Sequence, residues 1–241
     1  MTAALLFIAA ILGGAIAALS GFGIGSVLTP LLALSVGTKE AVVAVSIPHL
    51  VATAIRFWNL RHKIDRHLLK NFGIASASGG LVGAWLGSRF SNPILAYILG
   101  GLLVFAGFMG LTGLSKKMRF GKKIAWLGGG LSGLLGGLVG NQGGVRSAAM
   151  LGFNLEAKTF VATATAIALI VDGARMPIYF FTSPETVHRL AVSIAIMVAG
   201  VTIGTLVGGR VLARIPENYF SRLVSLLIFA LGIVMLSSVA R

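Results

Sequence analysis

The chain has 241 residues, 56% of them hydrophobic and only 11% charged, with a formal net charge of +14 and a mean hydropathy of +0.96. This balance excludes a soluble enzyme and indicates a multispanning membrane protein. The absence of cysteine excludes disulfides, thiolate chemistry and most soft-metal sites.

Charge is scarce along the apolar stretches. Residues 1–55 carry only Lys39 and Glu40, residues 71–115 only Arg89, and residues 190–209 and 223–240 carry none. A helix of ~20 such residues crosses ~30 Å of hydrocarbon. Unbroken apolar runs favour helices over a barrel, whose strands alternate. The predicted spans are 3–36, 40–58, 71–90, 93–115, 124–155, 159–181, 190–212 and 218–240, an all-α polytopic membrane protein of eight spans. The first lacks a basic n-region at Met1-Thr2-Ala3 and a clear cleavage site, so a retained helix is expected. The first and fifth spans, of 34 and 32 residues, would be roughly 50 Å long as straight helices. Each is therefore expected to break at glycine, over Ser20 to Gly25 and Gly136 to Gly144.

The basic residues fall in connectors. Arg61, Lys63, Arg66 and Lys70 follow the second span; Lys116, Lys117, Arg119, Lys122 and Lys123 follow the fourth. This positive-inside pattern assigns both connectors to the cytoplasmic face and leaves no nucleic-acid footprint.

The two halves repeat. Gly21-Phe22-Gly23-Ile24-Gly25, Lys39 and Arg56 recur 119 residues later as Gly140-Asn141-Gln142-Gly143-Gly144, Lys158 and Arg175. With two residues inserted in the second copy, Gly83 to Arg89 aligns with Gly204 to Arg210, and Pro93 falls near Pro216. The organisation expected is a first transmembrane repeat over 1–115, a basic cytoplasmic linker over 116–123 and a second repeat over 124–241. An inverted relation is expected, because a re-entrant hairpin leaves each half with an odd number of crossings. The loop around Arg210, Arg214 and Arg222 then also becomes cytoplasmic.

A duplicated arginine inside apolar runs, downstream of a duplicated Gly-rich break, is the pattern of a binding site between two repeats. Half-helices that begin after the breaks offer free amides and the positive end of a dipole. Gly21, Gly23, Gly25, Gly143 and Gly144 allow close backbone approach to a ligand. Arg56 and Arg175 add planar charged forks suited to oxyanions. Asn141 and Gln142 add amide donors, and Arg146, whose repeat partner is Val27, makes the site asymmetric. Arg175 is expected to contribute more than Arg56, since it lies sixteen residues into its apolar run. Asp172 is the coupling candidate; its repeat partner is Thr53, which cannot titrate.

Each residue also has a structural reading. Arg56, five residues from the basic loop, can instead reach the interface. Asp172 and Arg175 can form a neutral pair one turn apart. Arg146 can anchor a loop end, His49 after Pro48 reads as a satisfied histidine in a kinked helix ahead of a proton relay, and the glycines can be packing positions.

The motifs SGFGIGSVLTPLLAL and GNQGGVRSAAMLGFNLEAKTF are similar to those of the sulfite exporter TauE/SafE family of membrane anion transporters, and the resemblance covers nearly the whole chain. Pro30 closes the first motif as in the family, and Asn141-Gln142-Gly143 with Arg146-Ser147 resembles the second motif of one branch; Ser26 departs from the usual glycine. The resemblance implies a secondary transporter, an exporter above all, of small sulfur-containing anions such as sulfite, sulfonates or thiosulfate. An anion channel is the alternative. An intramembrane enzyme is disfavoured, as no G-x-S-x-G elbow, HExxH helix or Walker motif occurs. The partners expected are a small anionic substrate and the lipid bilayer, with a homodimer left open and neither nucleic acid, metal nor cofactor. The expected location is the bacterial plasma (inner) membrane, as a multi-pass protein.

Overall fold

The computed structural model describes residues 2–114, 122–150, 153, 155–208, 210 and 216–239. Within these the chain is helical, with no strand. The basic linker lies outside them up to residue 121, as does Arg214.

The expected first span is two helices, α1 (Ala3–Ser20) and α2 (Ile24–Val36). Thr2 caps α1, its side chain accepting from the Leu5 amide. The helix stops at Gly21, whose φ of 76° is left-handed, the conformation glycine adopts without steric cost. Gly13 lies against Ile24 and Leu28, and Gly23 against Ile16, so α2 folds back antiparallel along α1. The fifth span repeats this. Helix α6 (Lys122–Val139) ends at Gly140, left-handed at φ 72°, and α7 (Gly143–Met150) returns along it, with Gly128 against Ala149. The breaks are shorter than expected, 21–23 and 140–142. Ser20, Ile24, Gly25, Gly136 to Val139, Gly143 and Gly144 are all helical, since in an apolar surrounding the backbone gives up only the bonds that the turn itself requires.

Six further elements complete the bundle: α3 (Thr38–Leu60), α4 (Arg66–Arg89), α5 (Asn92–Thr112), α8 (Ala157–Thr182), α10 (Ala191–Ile203, continued by a π turn over Gly204–Gly208) and α11 (Glu217–Val239), with the short α9 (Pro184–Arg189) before α10. Among the described residues, six helices are long and apolar enough to cross a membrane: Ala3–Ser20, Thr38–Lys63, Asn92–Thr112, Ala157–Thr182, Ala191–Gly208 and Tyr219–Val239. Helix α4 has the length of a span but is not among them: even between Lys70 and Arg89, where it carries no charge, Asn71 and its glycines and serines dilute the apolar residues.

Packing crosses between the halves in matching pairs. Helices α4 and α6 run parallel in backbone contact, with Phe72, Ser76 and Gly80 against Gly129, Gly133 and Gly137. The repeat-equivalent pair, α10 and α1, does the same, with Gly200, Gly204 and Gly208 against Ala10, Ile11 and Ala15. Equivalent helices meet antiparallel. On α3 and α8, Ser46 touches Met176 and His49 touches Asp172; on α5 and α11, Gly100, Gly107 and Gly110 face Leu236, Phe229 and Ser225.

These directions bring Arg61, Lys63, Arg66, Lys70, Lys158 and Arg222 to one end of the bundle and Lys39, Arg89 and Arg189, with Glu40 and Glu185, to the other. Trp58 and Trp126 mark the basic end and Trp85 the opposite one, the positions of interfacial aromatics. Between them Ile74, Phe105, Leu131 and Ile170 are exposed on the outer surface, a placement that suits lipid and not water.

Candidate functional site

The two breaks meet. A Cβ on Gly25 would stand 2.2 Å from the Gly140 carbonyl oxygen, and one on Gly143 would stand 2.2 Å from Phe22 Cβ. Both glycines are therefore needed for the hairpin tips to cross. Gly144 is different: its nearest neighbour, Ala106, sits at an ordinary 3.6 Å. Gly23 has φ 133° and its Cβ position is blocked by Ile16, so it serves the turn itself. The Ser26 hydroxyl donates to Asn141 Oδ1 at 3.1 Å, tying one tip to the other. Ser26 replaces the glycine that the motif resemblance anticipates, and Asn141 is the partner that satisfies it.

Around this crossing lie buried charges from three helices. Arg56 on α3, Arg146 on α7 and Arg175 on α8 are 4%, 1% and 1% exposed, and Asp172 on α8 is fully buried. Arg56, Asp172 and Arg175 all lie within electrostatic reach of Arg146. Arg56 is buried and does not extend to the interface.

The three guanidiniums are held differently. Arg175 donates to Asp172 Oδ1 at 2.7 Å and to the Gly136 carbonyl, and its guanidinium lies 5.7 Å from the Tyr179 ring centroid. Tyr179 in turn donates to the Gly137 carbonyl, so the last turn of α6 is pinned to α8. Arg56 donates to Thr53 Oγ1 at 3.1 Å, which reproduces in the first copy the one-turn spacing of Asp172 and Arg175 with a neutral acceptor. Arg146 donates to the Gly21 carbonyl at 3.4 Å. Among the described residues no carboxylate pairs with Arg56 or Arg146. Both leave Nε and one terminal nitrogen without an acceptor, and the Gln142 side-chain amide is unpartnered as well.

A buried ion without a counter-ion costs several kcal/mol, and orphaned donors add to that. Three arginines against one aspartate leave an excess of two positive charges beside free N–H groups. The arrangement can take an anion with several oxygen acceptors.

Of the residues singled out from sequence, the structure brings Gly21, Gly25, Asn141, Gln142, Gly143, Arg146, Arg175, Asp172 and Arg56 to this crossing; Gly23 packs on Ile16 and Gly144 faces Ala106. Sequence reasoning did not assign Ser26, Thr53, Tyr179 or His49 to the site. Thr53 and Tyr179 carried a signal, being one turn before Arg56 and one turn after Arg175. His49 Nδ1 lies 2.6 Å from Asp172 Oδ2, a contact across 123 residues of sequence.

A search of curated proteins and a search of solved structures both returned no match. A family model described as sulfite exporter TauE/SafE matches residues 6–235. With that match over nearly its whole length, and with its apolar helices, the chain is a multi-pass membrane protein that belongs to the sulfite exporter TauE/SafE family of transporters.

Proposed function

We propose that the chain is a secondary transporter that exports a small sulfur-containing anion, such as sulfite, a sulfonate or thiosulfate, from the cytoplasm across the bacterial inner membrane. The observation that carries this reading is the pair of buried arginines, Arg56 and Arg146, with unpartnered N–H groups and, among the described residues, no carboxylate in contact with either. A tetrahedral or pyramidal oxyanion engages several such donors at once and outcompetes a monocarboxylate. The helix starts at Ile24 and Gly143 add the positive ends of two dipoles.

The transport cycle follows from two inverted repeats of four spans. Antiparallel packing of the equivalent pairs α3–α8 and α5–α11 supports inversion, since an axis along the membrane normal would leave those pairs parallel. Each hairpin then enters from its own face, and the two tips meet inside the bundle. The basic end faces the cytoplasm. Binding to the purified protein is tested by thermal shift against sulfite, sulfate, thiosulfate, sulfonates, carboxylates and ammonium compounds. Stabilisation by sulfur oxyanions ahead of carboxylates is expected; equal stabilisation by ammonium compounds would end the anion reading. Saturable counterflow in proteoliposomes separates a carrier from a channel.

A further inference from the structure

The buried site contains one titratable group that anion binding by arginines does not require, His49. Its side chain is 8% exposed, and its Nδ1 lies 2.6 Å from Asp172 Oδ2 and 3.4 Å from Thr53 Oγ1. Asp172 holds Arg175 with its other oxygen at 2.7 Å. One carboxylate is thus shared between a permanent cation and a group that becomes a cation on taking up a proton.

The remaining surroundings of His49 are one-sided. Helix α8 contributes Asp172, Arg175 and Tyr179; α3 itself contributes Arg56, with Arg61, His62 and Lys63 in the turn beyond it. Arg146 on α7 adds a third arginine, while α6, which also touches α3, carries Lys122 and Lys123 only at its start, and Lys39 and Glu40 lie at the first turn of α3. Helices α2, α5 and α10, which also pack on α3, carry no charged side chain in their described lengths, and α9 brings Glu185, His188 and Arg189 only at the far end of α3.

Resting on the anion site described above, we propose that His49 and Asp172 form a proton-binding site whose occupancy is coupled to the anion, so that the two are taken up together. Next to the carboxylate, neutral His49 carries its hydrogen on Nδ1 and donates it to Asp172, which leaves Nε2 as the proton acceptor. Empty, the cluster already holds Arg56, Arg146 and Arg175 against Asp172. A further charge on His49 is repelled by those arginines. A bound anion offsets the repulsion, and linkage makes the effect reciprocal: protonation raises anion affinity by the same factor by which the anion raises proton affinity. Protonated His49 also takes a larger share of Asp172, which releases Arg175 towards the anion.

The experiment is calorimetric titration of the purified full chain near neutral pH in buffers of different ionisation enthalpy. The probe is whichever of sulfate, thiosulfate and methanesulfonate stabilises the protein most, because none of them titrates in this range. The wild type should take up about one proton per anion bound, and affinity should rise as pH falls. In His49→Gln the proton count should drop to zero, whatever the affinity. A wild-type count of zero with clear anion binding overturns the proton site alone and leaves the anion reading intact. Uptake that persists in folded His49→Gln overturns the assignment to His49. Failure of every anion to bind the wild type overturns both readings, and the wild-type count decides even if the variant does not fold.

Discussion

The two repeats place the same backbone at their tips and different chemistry one helix away. Gly21 and Gly140 both end a helix in the left-handed conformation, and the amide of each bonds four residues back, to Ala17 and Gly136. Beyond that the copies part. The second holds Arg175 with Asp172, whereas the first holds Arg56 with Thr53; the second supplies Arg146 where the first has Val27. The tips share one backbone arrangement, and the side chains that differ around them leave an excess of positive charge.

The largest test of this comparison exchanges the two acceptors. Asp172→Asn leaves Arg175 buried without a counter-ion and should cost ~3–5 kcal/mol of stability. Thr53→Val removes one hydrogen bond to Arg56 and should cost ~1–3 kcal/mol. Thermal or denaturant unfolding of the purified variants gives the ranking, and equal losses would mean that the two arms are equivalent after all.

A second test concerns affinity. Arg56→Gln and Arg146→Gln should each weaken anion binding by ~1.5–3 kcal/mol, the range for a charged hydrogen bond. Arg175→Gln should act more on stability than on affinity, because its guanidinium is already engaged by Asp172 and Gly136. Depth in the apolar run ranks Arg175 first, and the geometry favours the opposite order. Calorimetric titration of the three folded variants decides between them.

The smallest effect is expected at the tip contact. Ser26→Ala should cost ~0.5–1.5 kcal/mol, the net worth of an ordinary hydrogen bond, with little change in anion affinity. A large affinity loss in Ser26→Ala would move this hydroxyl from the scaffold into the site.

Much of this was legible in the sequence because charge and glycine are conspicuous in an apolar chain. Arg56 and Arg175 stand at a common offset from paired glycine clusters, and that spacing is what marks the candidate site in the sequence. The length of the breaks was not legible, since glycines such as Gly136 and Gly137 sit in the helix for packing and cannot be told from those that end it. Nor was the His49–Asp172 contact, which depends on how α3 crosses α8 and leaves no local pattern. Helix α4 shows the limit of hydropathy: it is predicted as a span over 71–90, yet the glycines and serines that let it pack closely keep it out of the set chosen by apolarity.

The glycine seams have a mechanical consequence. Cβ atoms at Gly79, Gly83, Gly133 and Gly137 would lie 1.9–2.2 Å from carbonyl oxygens across the α4–α6 boundary, and one at Gly204 would lie 2.0 Å from Ile11 across α10–α1. Backbones seated this closely cannot shift past one another without first lifting apart, so each seam behaves as a weld joining helices from opposite copies. The contact of α3 with α8 is of a different kind, since there side chains and not backbones meet.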